Sequence, residues 1–185
     1  DHRHQHRRED QDGGRHVHGR AHHHHQQHDR QHQQGGVVEQ GLEQLPGLLR
    51  AAERANGLGI PTHTVKFYVD GVIPQKTAYM LAPYEGSTER GAPQIAPEML
   101  KQAVTAIDAK GMHAFLHAIG DGGVRISLDA VEAARAANGV KPTYHMVTHL
   151  NVVDPADQPR FGKLDTYAQF QPTWSSWYPY MELTE

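Results

Sequence analysis

The sequence predicts an α/β fold on a parallel sheet, preceded by a disordered His-rich tail. Three observations carry this. Residues 1–36 hold eleven of the sixteen histidines and no Leu, Ile, Met, Phe, Tyr or Trp, so they cannot bury enough apolar surface to offset the entropy of ordering. From residue 37 onward, short β-branched and aromatic runs alternate with segments of helical periodicity. The last three of those runs recur at about 28 residues, a spacing in keeping with βα units. The chain therefore divides into a low-complexity His/Gln/Arg-rich segment, 1–36, and a folded segment, 37–185.

The elements follow in order. Leu42, Leu45, Leu48, Leu49 and Ala52 fall on one helical face between Val37 and Asn56, with Pro46 placing the start of the helix proper near itself. Thr62 to Asp70 reads as a strand whose alternation sets Val65, Phe67 and Val69 on one side and Thr64, Lys66, Tyr68 and Asp70 on the other. Gly71 to Ile95, rich in Pro and Gly, is a long connection of the kind that forms lids or pocket walls. Ala96 to Lys110 is a helix with Pro97 in its first turn, a stripe of Met99, Leu100, Ala103, Val104 and Ile107, and Gly111 as its stop. Met112 to Ala118 is a strand. A helix capped by Asp121 follows and ends at Asn138-Gly139. Pro142 to Leu150 is a strand, Asp154-Pro155 opens a short helix closed by Leu164, and Thr166 to Phe170 is the last strand. An aromatic loop with Trp174, Trp177 and Tyr178 closes the chain, suited to packing or to lining a pocket. This order fits a doubly wound sheet or part of a (β/α)8 barrel, and the clear strands are fewer than a whole barrel needs.

Composition narrows the function. Hydrophobic residues make up 37% of the chain and the formal net charge is −3. The folded part shows no basic patch, which argues against nucleic acid. The chain has no cysteine, hence no disulfide framework and no Cys-type zinc site. No apolar run reaches membrane-span length, and no signal-peptide pattern is visible. A cytoplasmic location is expected.

Chemistry gathers at the strand ends. Lys66, His117 and His149 lie at or near the carboxyl ends of three strands, which in a parallel sheet point to one edge. Two imidazoles with an acidic or carbamylated ligand make a common metal set, and a bound metal lowers the pKa of its water toward neutrality. Each residue also has a structural reading: a strand histidine held by hydrogen bonds, or a lysine reaching solvent along its stem. His113 and His145 precede the two strand-end histidines by four residues, roughly 13 Å along a strand, too far to share a metal with them. Two further readings come from other classes. His22 to His25 centre a His-rich tract that could make this a non-catalytic metal-binding protein. Gly120-Asp121-Gly122-Gly123 could cradle a phosphate at a helix N-terminus, though the pattern falls short of G-x-G-x-x-G.

The segments VKFYVDGVIPQKTAYMLAPY, HAIGDGGVRISLDAVEAA, THLNVVDPADQPRFGKL and QFQPTW resemble amidohydrolase family 3 proteins of the YtcJ-like type, from about Leu42 to Trp177. The resemblance implies a partial (β/α)8 TIM barrel and a metal-dependent hydrolase acting on C–N bonds of non-peptide amides. The implied cofactor is a divalent metal, zinc foremost, and the implied partner a small amide-type molecule; homo-oligomers are compatible with this. Lys66 matches the strand-end lysine that related enzymes carboxylate to bridge two metals. His117 matches the fifth-strand histidine and His149 the sixth-strand one. The first-strand histidine-x-histidine motif has no counterpart on a strand here, since His16-Val17-His18 lies in the low-complexity tail. The general-base aspartate has no counterpart either, and Thr148 stands where a glutamate is usual. The resemblance thus implies the middle of such an enzyme, an incomplete and inactive piece as it stands.

Overall fold

The computed structural model describes residues 44–171. The His-rich segment and the aromatic segment from Trp174 to Tyr180 lie outside the described residues.

Helix α1 covers 44–57 and is already helical ahead of Pro46, not started by it. Leu45 and Ala52 are buried, but Leu48, expected on the same face, is 52% exposed. Strand β1 (Thr64–Tyr68), helix α2 (Pro97–Ala109), strand β2 (His113–Ala118), helix α3 (Asp121–Asn138), strand β3 (Met146–His149), helix α4 (Gln158–Lys163) and strand β4 (Tyr167–Phe170) follow. The strands are shorter than the β-prone runs suggest. Helix α4 also begins later than Asp154-Pro155: the Asp154 carboxylate accepts the Ala156 N–H in a local turn (2.8 Å), and Asp157 takes the N-cap place.

The four strands pair in parallel in the order β1-β2-β3-β4. A right-handed crossover between neighbouring parallel strands always places its helix on the same face when the sheet grows in one direction. Helices α2 and α3 accordingly pack against each other. Their common core is Leu100, Val104 and Ile107 from α2, Val124, Leu128 and Val131 from α3, and Ala114, Leu116 and Val147 from the strands, all at 0% exposure. Fully burying such a Val, Leu or Ile contributes roughly 1.5–3 kcal/mol, so this layer fixes the register. No reversal of strand order occurs within the described residues, so the doubly wound alternative has no switch point here.

Register fixes the second face. Tyr68, His117, Thr148 and Gln169 stand in one row across the sheet, and Lys66, Phe115, Met146 and Tyr167 in the row two residues earlier. Tyr68 and Tyr167 are 59% and 55% exposed, whereas Ala114, Leu116 and Ala118, of opposite parity on β2, are buried toward the helices. Lys66 and His117 therefore belong to the face away from α2 and α3.

The amino ends of the strands are held by a buried polar network. His145 is fully buried; its Nδ1 accepts the Ala114 N–H (3.0 Å) and its Nε2 lies 3.0 Å from Asp108 Oδ1. Because Nδ1 accepts, Nε2 carries the hydrogen and donates to Asp108. Thr143 Oγ1 and Asn138 Nδ2 donate to the same carboxylate (2.6 and 2.9 Å), with Arg135 Nη1 at 3.3 Å. In the reciprocal arrangement His113 Nδ1 accepts the Tyr144 N–H (2.9 Å). The two early histidines thus satisfy backbone donors where the β2–β3 ladder has not yet begun.

Candidate functional site

The carboxyl end of the sheet is organised by Asp70, a residue the sequence pattern did not single out. Its carboxylate, 1% exposed, accepts Ile119 N–H at Oδ1 (2.9 Å) and Gly120 N–H and Tyr79 N–H at Oδ2 (2.8 and 3.0 Å). One side chain at the end of β1 thereby ties the β2–α3 turn to the long connection. Burial pushes the carboxyl up to about 6, against the three backbone donors that favour its ionised form.

This also explains the glycines. A Cβ at Gly123 would lie 2.5 Å from Asp70 Oδ2, and one at Gly120 would lie 2.1 Å from the Tyr79 carbonyl oxygen. The turn is glycine-rich because a carboxylate and another backbone fill the space of side chains. The anion at this helix N-terminus is internal, so the place a phosphate would take is occupied by Asp70. Asp121 is the first residue of α3, not its cap. Its Oδ1 accepts the N–H of Gly122 (2.9 Å) and of Leu81 (2.8 Å), a second tie to the long connection.

His117 and His149 come together above this knot. Their rings meet edge to face with centroids 4.4 Å apart. His117 Nε2 lies 3.2 Å from the Gly71 carbonyl oxygen and 3.7 Å from Asp70 Oδ1. A carbonyl only accepts, so Nε2 carries the hydrogen and Nδ1 the lone pair. His149 Nδ1 lies 2.7 Å from Gln171 Oε1, which assigns the hydrogen to Nδ1. Simple alternation would pair His149 with Ala118 and Phe170 on the helix side. The backbone departs from it: φ is +80° at His149 and +54° at Leu150. Positive φ at non-glycine residues costs about 1–3 kcal/mol and concentrates at functional sites.

Lys66 lies on the same face two residues before Tyr68, its Nζ 3.9 Å from the Phe115 ring centroid and 5.3 Å from that of Tyr68. Burial lowers its pKa. Burial likewise holds both imidazoles below their ordinary value; the Gly71 carbonyl and Gln171 oppose this, while the charge of Lys66 adds to it at both rings and each histidine's neutral form is favoured. Neutral imidazole is the form that ligates metals.

The fit to a divalent metal is partial. Two adjacent imidazoles suit zinc and similar ions, and the buried Thr148 hydroxyl beside them has no partner among the described residues, as expected where a polar occupant completes the site. Yet no group of three or more His, Cys, Asp or Glu side chains among the described residues is arranged to hold a metal. Asp70 and Asp121 are committed to backbone N–H groups.

Two histidines meet at the carboxyl edge of a parallel βα sheet, and comparison with known proteins gives the class. The chain belongs to the amidohydrolase family, whose model matches residues 1–183. It is 31% identical over 109 residues to Protein LONG AFTER FAR-RED 3 of Arabidopsis thaliana, covering 58% of this chain and 19% of that protein. Among solved structures it is similar to an uncharacterized metal-dependent hydrolase from Pyrococcus furiosus (26% identity, TM-score 0.52, 60% of this chain and 22% of the other). A second, from Pyrococcus horikoshii OT3 (20% identity, TM-score 0.56, 68% and 26%), shares the fold. The chain thus spans about a fifth to a quarter of the length of these relatives. It is a hydrolase-family chain with a mixed α/β fold.

Proposed function

We propose that this chain forms the metal-binding middle of a (β/α)8-barrel hydrolase of the YtcJ-like type, acting on C–N bonds of small non-peptide amides. The observation that carries the reading is the meeting of His117 and His149 at the ends of adjacent strands, 4.4 Å between ring centroids, in a chain of the amidohydrolase family. The unreversed strand order and the helices on one face support the barrel. His117 and His149 would hold a divalent metal, zinc by the preference of imidazole, and Lys66 would join them once carboxylated. Such a metal supplies a water acidic enough to act as hydroxide near neutral pH. The chain's own part is to hold the two imidazoles neutral and oriented, through Gly71, Gln171 and the Asp70 knot. With both nearby aspartates committed to backbone, no aspartate or glutamate among the described residues is free to act as general base beside the two histidines, and the chain alone should turn over little or no amide. We place the protein in the cytoplasm, with self-association compatible with its open sheet face; no helix among the described residues is long and apolar enough to cross a membrane.

The test is zinc stoichiometry by equilibrium dialysis on the chain and on a H117A/H149A variant, beside an amide-hydrolysis assay. Loss of one zinc equivalent in the variant is expected, because the His-rich segment contributes equally to both. Unchanged stoichiometry contradicts the reading and favours the alternative, a non-catalytic metal-binding protein acting through residues 1–36. Robust zinc-dependent amide turnover by the wild-type chain contradicts the proposed inactivity.

A further inference from the structure

The two outer strands each end on an oxygen that holds the histidine of the neighbouring inner strand. On one side this is the Gly71 carbonyl, which follows β1 and accepts from His117 Nε2 (3.2 Å). On the other it is Gln171, immediately after β4, whose Oε1 lies 2.7 Å from His149 Nδ1. The two contacts select opposite tautomers. An imidazole in water favours neither strongly, so a ring whose backbone sits at φ +80° needs an outside partner to fix both its orientation and its proton. For His117 that partner is a main-chain group that no substitution can remove. For His149 it is a side chain.

We propose that Gln171 is a positioning residue: its Oε1 locks His149 as the Nδ1–H tautomer, which makes Nε2 the acceptor nitrogen of the ring. This rests on the metal-dependent reading only for its purpose; the tautomer itself follows from the contact. An amide suits the task better than a carboxylate would. It accepts the Nδ1 hydrogen without adding a negative charge that would hold the ring as imidazolium beside Lys66 and His117. Gln171 also makes β4 part of the site, although none of the residues first singled out lies on that strand.

The experiment is imidazole 15N–1H correlation NMR on the full chain without metal, at a pH where the rings are neutral, comparing wild type with Gln171→Leu and Gln171→Glu. Wild type should show His149 as Nδ1–H. Gln171→Leu should lose that tautomer for a mixture or for Nε2–H, while His145, fixed as Nε2–H by Asp108 and Ala114, keeps its signals and so reports that the fold is intact. Gln171→Glu should keep an Nδ1–H at His149, with Nε2 protonated as well where the added carboxylate holds the ring as imidazolium. A leucine variant that retains Nδ1–H with His145 unchanged, or a wild-type His149 found as Nε2–H, overturns the proposal. If Gln171→Leu disturbs His145 as well, the glutamate variant decides by whether Nδ1–H is kept. The metal-dependent reading is judged separately: cobalt(II) affinity at the two histidines should fall about 10–100-fold in Gln171→Leu. The tautomer is read without cobalt, so a failure of either idea is seen apart from the other.

Discussion

At the scale of single residues, the glycines after β2 carry the sharpest energetic claim. Adding one methyl at Gly120 or Gly123 drives a Cβ into the Tyr79 carbonyl or the Asp70 carboxylate. Gly120→Ala and Gly123→Ala should each destabilise the chain by about 1–3 kcal/mol, the usual cost of overpacking. Gly162→Ala is the control: nothing lies within 4 Å of its Cβ position, and alanine in a helix should be neutral or stabilising by roughly 0.5–1 kcal/mol. Denaturant melts of the three variants check this; equal effects at all three positions contradict the packing account. The turn itself was legible, since Gly120-Asp121-Gly122-Gly123 falls between a β-run and a helical stripe. Its reason was not, because the pressing groups, Asp70 and Tyr79, are about 40 to 50 residues away in sequence and act through backbone N–H groups. Asp70 gave no signal of its own beyond its parity with Lys66, and an Asp-Gly pair after a strand reads equally well as a simple turn.

At the scale of elements, the strands were legible from their β-branched runs and the helices from their apolar stripes, but the strand ends were not. β3 begins at Met146, four residues later than its run, because His145 and His113 use ring nitrogens to accept the N–H groups that a ladder would otherwise pair. A sequence reading sees a histidine and cannot see its partner. The buried network predicts a pH dependence. Burial lowers the pKa of His145 despite the help of Asp108, and His113, His117 and His149 shift the same way. The unfolded chain therefore takes up protons, near the ordinary imidazole value of about 6.5, that the folded chain refuses. The stability these rings contribute is fully present above that pH and is lost as pH falls through and below it. For Asp108, burial raises the carboxyl but the hydrogen bonds from Thr143, Asn138 and His145 outweigh it, leaving it below its ordinary value. Its contribution is present above about pH 4 and is lost on further acidification. Asp70 opposes this: with its carboxyl held up to about 6, the folded chain takes up that proton before the unfolded chain does and gains stability as pH falls through that value. Four rings against one carboxyl still give falling stability in thermal melts from pH 8 to pH 5. The fall should be shallower in His145→Gln, which removes one of the titrating rings. A flat profile in wild type contradicts the buried neutral state.

At the scale of the whole molecule, the sheet has one face closed by α2 and α3 and one face that carries both the site and exposed aromatics. Tyr68, Tyr144 and Tyr167 are each at least 50% exposed, and Tyr144 and Tyr167 form one edge-to-face pair, 5.9 Å between centroids. β1 and β4 are edge strands of the described sheet. Contiguous apolar faces and open edges drive association, so sedimentation velocity should show mass rising with concentration, and Tyr144→Lys/Tyr167→Lys should reduce it. A strictly monomeric wild type at high concentration contradicts that expectation. The architecture was half legible in the sequence. The βα spacing gave a parallel sheet, whereas the choice between a doubly wound sheet and a barrel segment depends on strand order, which spacing alone does not encode.

The central claim is that His117 and His149 act together as the metal-ligating pair of an amidohydrolase-family chain. The most direct measurement is cobalt(II) titration of the full chain followed through the imidazole NMR signals of the folded part. The account predicts paramagnetic broadening of His117 and His149 together, at the same cobalt concentration, with His113 and His145 little affected. Broadening confined to the histidines of residues 1–36, with His117 and His149 untouched at saturating cobalt, would contradict it.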